Sequence, residues 1–290
     1  MILSILVISR SKVLLNQLLE SISRATNLEK ENIEILCSWN GSKNNESKII
    51  NNTGYKFKIA QRNKYHFASN MNSLAKKASG EILCIINDDI ILDNNSIDAG
   101  IKALKSNSNI GIVSGNLRYG NGLIQHIGTS FNDKDLSYHK FKKSLKHDSN
   151  IIDNTNLIIS AATGALLLIK KSIFNEIGFN EKYYQSGEDV ELSLEVREEK
   201  GLNIYLCKKM SGIHFESVSR KKKTESIYKE KDMKRLQKRR LKFINNVSKN
   251  QLLIDINDLQ NQITIHRIME KNNRLKNPIK ILKRFISKFF

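Results

Sequence analysis

Three observations predict an α/β fold, a mixed and mostly parallel sheet flanked by helices, followed by a basic helical tail. Apolar runs of β type alternate with helix-type segments through the first third of the chain. Short polar clusters recur just past those runs, where open α/β sheets bind their ligands. Basic charge gathers at the end: Lys221 to Phe290 hold 20 Lys and Arg against 6 Asp and Glu, a net of +14 out of +19. The first 220 residues are therefore ordinarily charged.

The elements follow in order. Residues 2–8 (ILSILVI) read as a buried strand and 11–24 as the helix after it. IEILC (33–37) is a second strand, succeeded by a polar loop over 38–52. FKIA (57–60) leads to a helix over 68–78 that Gly80 stops, and EILCIIN (81–87) is a strand ending in Asp88 and Asp89. A helix near 96–106 precedes a hairpin, GIVSGNLRY (111–119) and LIQHIGTSF (123–131), around Gly120-Asn121-Gly122. Residues 132–156 are polar and read as a long mobile loop. IISAATGALLLIK (158–170) resumes the core, 171–177 is a short helix, and 188–200 is a helix closed by Gly201. IYLC (204–207) is the last strand, with His214 beyond it. The domain is expected to span 1–220 and the extension 221–290.

Composition excludes several classes. A hydrophobic fraction of 40% supports a sizeable core, which rules out a disordered chain. Cys37, Cys84 and Cys207 are far apart with no CxxC spacing, against a disulfide framework or structural zinc. The opening MILSILVISRSK is too short to cross a bilayer and lacks a basic leader and cleavage site. The expected location is cytoplasmic, with any membrane contact peripheral.

Three clusters carry chemistry. Adjacent Asp88 and Asp89 after Asn87 repel each other at a sheet edge unless a cation or hydrogen-bond donors share the site. Hard oxygen ligands of this kind suit Mg²⁺ or Mn²⁺ bridged to phosphate. Gly187-Glu188-Asp189 opens a helix, where carboxylates either complement the dipole or present a general base. His214 in IHFESVSR is followed by Ser217, Ser219 and Arg220, residue types that grip a diphosphate.

Taken in this order, the residues resemble a family 2 glycosyltransferase of the GT-A fold. Asn40-Gly41-Ser42 is similar to the family's nucleotide loop, and RNKYHFASNMNSLAKKASGEILCIINDD (62–89) to its run from an Asn-rich segment to a DxD-type metal motif. GNLRYGNGLIQHIGTSF resembles a hairpin of rhamnosyltransferase-like members. TGALLLIKKSIFNEIGFNEKYYQSGEDVELSLEVREEKGLNIYLC resembles the acceptor-side block ending in ED. The resemblance covers about the first 220 residues, and the ordered set is more specific than any one motif.

The resemblance implies a role for each matching position. Asp89 and His214 would bind the divalent metal, Mn²⁺ or Mg²⁺, and Asp88 would face the ribose or a water beside the ion. Asn40, Arg62 and Asn63 would line the nucleotide pocket, joined by Asn70 of the Asn-rich segment, while Ser219 and Arg220 would close over the diphosphate. Ser9 and Arg10 stand where the family usually has a proline-containing stretch, on the same pocket. Trp39 replaces an aspartate that often reads the base; it either stacks on a base or fills a crevice. Asp189 would deprotonate the acceptor hydroxyl, Glu188 would orient the acceptor, and Gly164 would keep the backbone slim where acceptor and sugar meet. The implied reaction is a single displacement with inversion, from a nucleotide diphosphate sugar to a glycan or lipid-linked glycan.

The tail has its own pattern. Leu252, Ile256, Leu259 and Ile263 recur at helical spacing, to pack on the domain or on a second helix, as in a homodimer. Ile279, Ile281, Leu282, Phe285, Ile286, Phe289 and Phe290 fall on one side of a helical wheel, with Lys280, Lys283, Arg284 and Lys288 on the other. That pattern over 278–290 suits an anionic membrane surface. Nucleic acid is disfavoured, because no stacking or base-reading module accompanies the charge. The setting expected is surface polysaccharide assembly on the inner face of the plasma membrane. A nucleotidyltransferase would be expected to show a glycine-rich loop after the first strand, and ISRSKVLL has no glycine. A binding protein that had lost turnover is disfavoured by intact Asp89, Asp189 and His214.

Overall fold

Seven consecutively buried residues put β1 (Leu3–Ser9) in the middle of a ten-stranded sheet. The computed structural model describes residues 1–155, 157–215 and 225–276. After β1 come α1 (Lys12–Ala25), β2 (Ile33–Trp39), α2 (Lys43–Glu46), β3 (Lys56–Gln61), α3 (Phe67–Lys77) and β4 (Ile82–Asn87). Next are β5 (Ile90–Leu92), α4 (Ser96–Ser106), β6 (Ile110–Arg118), β7 (Ile124–His126), β8 (Thr129–Phe131) and β9 (Ser137–His139). The chain continues with β10 (Ile158–Ile159), β11 (Leu166–Lys170), α5 (Lys171–Ile177), α6 (Glu188–Lys200), β12 (Asn203–His214), α7 (Glu225–Asn246) and α8 (Lys249–Lys276).

The strand order is β10-β12-β6-β11-β4-β1-β2-β3. β1, β2, β3 and β4 run parallel, as their crossover helices require. β11 inserts antiparallel between β4 and β6, and β12 runs parallel to β6. Alternate β1 side chains go to opposite faces: Leu3, Ile5 and Val7 meet α1 and α4, while Leu6 and Ile8 meet α3 and α5. α1 begins where the Ser11 hydroxyl accepts from Leu14 N, and α6 ends at left-handed Gly201 as the sequence predicts.

Two expectations change, and one open choice narrows. Residues 132–156 are not a structureless loop: β9 pairs with β8, and Phe141 and Leu145 are buried. The strand expected at 204–207 runs on to His214, because it carries a third neighbour, β5, a strand absent from the sequence reading. Of the two readings of the extension, packing on the domain or on a second helix, α8 shows the first. Arg197 of α6 is buried against Asp255 (2.8 Å) and Gln251 of α8, and Lys140 against Asp258 (2.6 Å). α8 thus turns Gln251, Asp255, Asp258 and Gln262 inward, while Ile256 and Ile263 stay 48% and 53% exposed. The apolar spacing did not mark the face that packs on the domain. Segment 278–290 lies outside the described residues.

Candidate functional site

The carboxyl ends of four parallel strands place Ser9, Trp39, Gln61 and Asn87 along one rim, so the residues after them share a crevice. Asn40 N donates to Ser9 O (2.7 Å), and the Asn40 amide reaches Asn63 O, tying the loops after β1, β2 and β3 together. Gly41 is required by a close approach. A Cβ there would lie 2.4 Å from the Trp39 ring and 2.6 Å from Arg10 O. Trp39 is 1% exposed and its indole N–H donates to Ser42 O (3.3 Å). Of its two expected roles the structure supports filling the crevice, since its ring offers no open face. Asn70 is likewise buried: its side-chain carbonyl accepts from Ser38 Oγ (3.2 Å) and its backbone carbonyl from Gln61 Nε2 (3.0 Å). Arg62 is exposed and paired with Glu46, and Arg10 and Asn63 are also exposed on this rim.

Beyond β4 the chain makes a two-residue turn, Asp88-Asp89, into β5. Ser9 Oγ donates to Asp88 Oδ2 (2.6 Å). Burial pushes the Asp88 carboxyl up to about 6, against the Ser9 hydrogen bond and with the help of the neighbouring Asp89 charge. Pairing of β5 with β12 sets Ile90 opposite His214 and so brings His214 to Asp89, Nε2 to Oδ1 at 3.0 Å. Both side chains are buried, and His214 Nδ1 has no hydrogen-bond partner. Asn87 Nδ2 stands 3.5 Å from His214 Nε2.

This geometry fits a small divalent cation. Two ligands each about 2.1 Å from an octahedral ion stand about 3 Å apart on adjacent vertices. Among the described residues no group of three or more His, Cys, Asp or Glu is assembled. Mg²⁺-type sites of one or two protein ligands are completed by phosphate oxygens and water. Ser219 and Arg220, expected on the diphosphate, lie outside the described residues.

α6 adjoins this edge through the start of β11, where Asn87 N donates to Ala165 O and the preceding Gly164 meets Asp189. Gly187 turns the chain into α6 at φ +117°, a region that favours glycine. Asp189 accepts from Gly164 N (2.7 Å) through Oδ2 and from Val190 N (2.8 Å) through Oδ1. Gly164 fits narrowly, because a Cβ there would lie 3.3 Å from both Asp189 Cβ and the Phe67 ring. Glu188 is buried beside it. A contribution missed by the sequence reading is Asp232 of α7, which accepts from Tyr184 N (3.1 Å), Gln185 N (2.8 Å) and Ser186 N (3.4 Å) just before α6. One of three acids inside a lysine-rich helix gives no sequence signal of that task.

A curled, mostly parallel sheet with acids past its carboxyl edge and a second acid at the start of a neighbouring helix defines a GT-A glycosyltransferase fold. The chain belongs to glycosyl transferase family 2, whose family model matches residues 4–178. Among curated proteins it is similar to the O-antigen biosynthesis protein RfbC of Myxococcus xanthus, 26% identical over 169 residues, which is 57% of this chain and 13% of that one. It is 28% identical over 160 residues to the uncharacterized protein y4gI of Sinorhizobium fredii, 54% of this chain and 18% of that one. The chain thus spans less than a fifth of either relative. Among solved structures it is similar to residues 1–349 of S. aureus TarS in complex with UDP (TM-score 0.59, 15% identity, 89% of this chain and 71% of that one). It is also similar to the mannosyltransferase PcManGT of Pyrobaculum calidifontis in complex with GDP-Man and Mn²⁺ (TM-score 0.57, 12% identity, 99% and 80%).

Proposed function

We propose that the protein transfers a sugar with inversion from a nucleoside diphosphate donor to a hydroxyl of a glycan, in surface polysaccharide synthesis. The observation that carries this is the Asp89–His214 pair, buried at 3.0 Å at the sheet's carboxyl edge, with His214 Nδ1 unpartnered. The nucleotide would lie along the rim of Asn40, Arg62 and Asn63, with its ribose toward Asp88. Asp89 and His214 would hold a divalent ion, which supplies charge neutralisation to the departing diphosphate. Asp189 takes the acceptor proton. Its two backbone N–H donors leave lone pairs for that hydroxyl and fix the carboxylate's direction. The slim backbone at Gly164 lets acceptor and donor sugar meet beside it. The similarity to an O-antigen biosynthesis protein supports the polysaccharide setting.

Calorimetric titration with UDP, dTDP, GDP and CDP, with Mn²⁺ or Mg²⁺ and again with EDTA, tests the reading. One nucleoside diphosphate should bind in a metal-dependent way, and Asp89→Ala should abolish that binding. Failure of all four to bind would overturn it.

A further inference from the structure

The segment between α5 and α6 is pinned by α7 to an unusual degree. Asp232, 1% exposed, receives three successive backbone N–H groups, those of Tyr184, Gln185 and Ser186. Such a nest of amides normally receives an anion, and here the protein supplies its own. One turn on, Arg235 donates to Lys182 O (2.7 Å) and lies over the Tyr183 ring at 5.5 Å. The Tyr183 hydroxyl donates to Glu191 of α6, and that ring blocks any Cβ at Gly187. Residues 182–187 are therefore held from α7, and both the segment and that helix lie beyond the family match.

That conformation turns Tyr184 outward. Its ring is 60% exposed and meets His66 edge-on, with centroids 5.6 Å apart. Phe67, the next residue, abuts Gly164, which donates to Asp189. Tyr184 thus stands between the loop after β3, which carries Asn63 and His66, and the start of the helix that carries the proposed base. An exposed tyrosine with an apolar ring, a polar tip and few torsions binds amphipathic ligands at small entropic cost. A pyranose, with one face of C–H groups and a rim of hydroxyls, is such a ligand.

We propose that Tyr184 is the platform on which the acceptor pyranose rests beside Asp189, and that Asp232 is the positioning residue that holds it there. This rests on the transferase reading above. The test uses the full chain with UDP and Mn²⁺, and methyl α- and β-pyranosides of glucose, galactose, mannose, rhamnose and N-acetylglucosamine as probes. Saturation-transfer NMR reads sugar binding and calorimetry reads UDP binding. At least one glycoside should receive saturation on its C–H protons. Tyr184→Ala should weaken it about tenfold, while Tyr184→Phe and Tyr184→Trp keep it. Asp232→Asn should weaken the same glycoside, and UDP affinity should be unchanged in every variant. A wild-type protein that binds UDP but no glycoside, a Tyr184→Ala protein within twofold of wild type, or a loss of UDP affinity in Tyr184→Ala would each overturn the proposal. A wild-type protein that binds no nucleoside diphosphate fails the transferase reading instead, and the glycoside arms are then read on the protein alone.

Discussion

Among the described residues, the carboxylates of α8 and those at the end of β4 are both withdrawn from water, and they differ in what compensates them. Asp255 and Asp258 of α8 each face a basic side chain: Arg197 at 2.8 Å and Arg240 at 2.7 Å for the first, Lys140 at 2.6 Å for the second. Asp88 and Asp89 have no lysine or arginine ion pair among the described residues; they have one serine hydroxyl and one histidine. Removing a carboxylate from water is costly unless a charge or hydrogen bonds replace the lost hydration. The α8 acids are compensated within the fold and hold it together. The strand-end acids are left short of positive charge, which is how a site for a cation and its phosphate differs from a structural ion pair.

The sharpest way to break this contrast is to remove one acid from each group. Asp89→Ala should cut sugar transfer at least ~10³-fold, as the loss of an electrostatic anchor in a closed site does. In EDTA its melting temperature should equal or exceed that of the wild type, since the lost group had no cation. A fall of several degrees would make Asp89 structural. Asp258→Ala should do the reverse. It leaves buried Lys140 uncompensated, at a cost of about 3–5 kcal/mol, read by urea unfolding. Replacing both, Lys140→Met with Asp258→Leu, should recover most of that loss.

A graded case lies between the two groups. Burial pushes the Asp93 carboxyl up, but the bidentate Arg118 guanidinium and the Ser211 hydroxyl outweigh it and hold it below the ordinary 3.8. A lowered folded-state value stabilises above the unfolded value and is lost as the pH falls through the folded one. Asp93→Asn should therefore cost about 1 kcal/mol or less near neutrality, after screening at this part-exposed site. Its difference from wild type in urea midpoints should close as the pH drops below 3.8. The smallest effect is expected on the other side of α8. Ile256→Asp and Ile263→Asp, both at exposed positions, should each change stability by less than about 0.5 kcal/mol. A larger loss would mean that the apolar stripe is covered in solution.

Much of the fold was legible because local period and global burial agree in its first half. β1 is apolar throughout and buried throughout, and α4 occupies the 96–106 predicted. α1 buries Leu15, Leu18, Leu19 and Ile22, the stripe its spacing indicates. α8 defeated the same rule. Its apolar positions are spaced like a core seam, yet ion pairs with Arg197, Arg240 and Lys140 draw its polar face inward. Periodicity measures hydrophobicity along one chain, and the partners of Asp255 and Asp258 lie far away in sequence. The candidate site divides similarly. Asp88, Asp89, Asp189 and His214 could be picked out by residue type and by strand or helix ends. Asp232 could not, because its partners are backbone N–H groups, which have no sequence signature.

By itself the sequence determined the order of the longer strands and helices, the parallel half of the sheet, and the chemical character of the rim. It did so because apolar runs and turn residues act locally. Only the tertiary structure decided that β11 enters antiparallel and that β5 and β12 bring His214 to Asp89. The same holds for the docking of the basic helices, with α7 holding the loop before Asp189. Each of these depends on groups distant in the chain meeting at about 3 Å, where burial leaves a polar atom no water to fall back on.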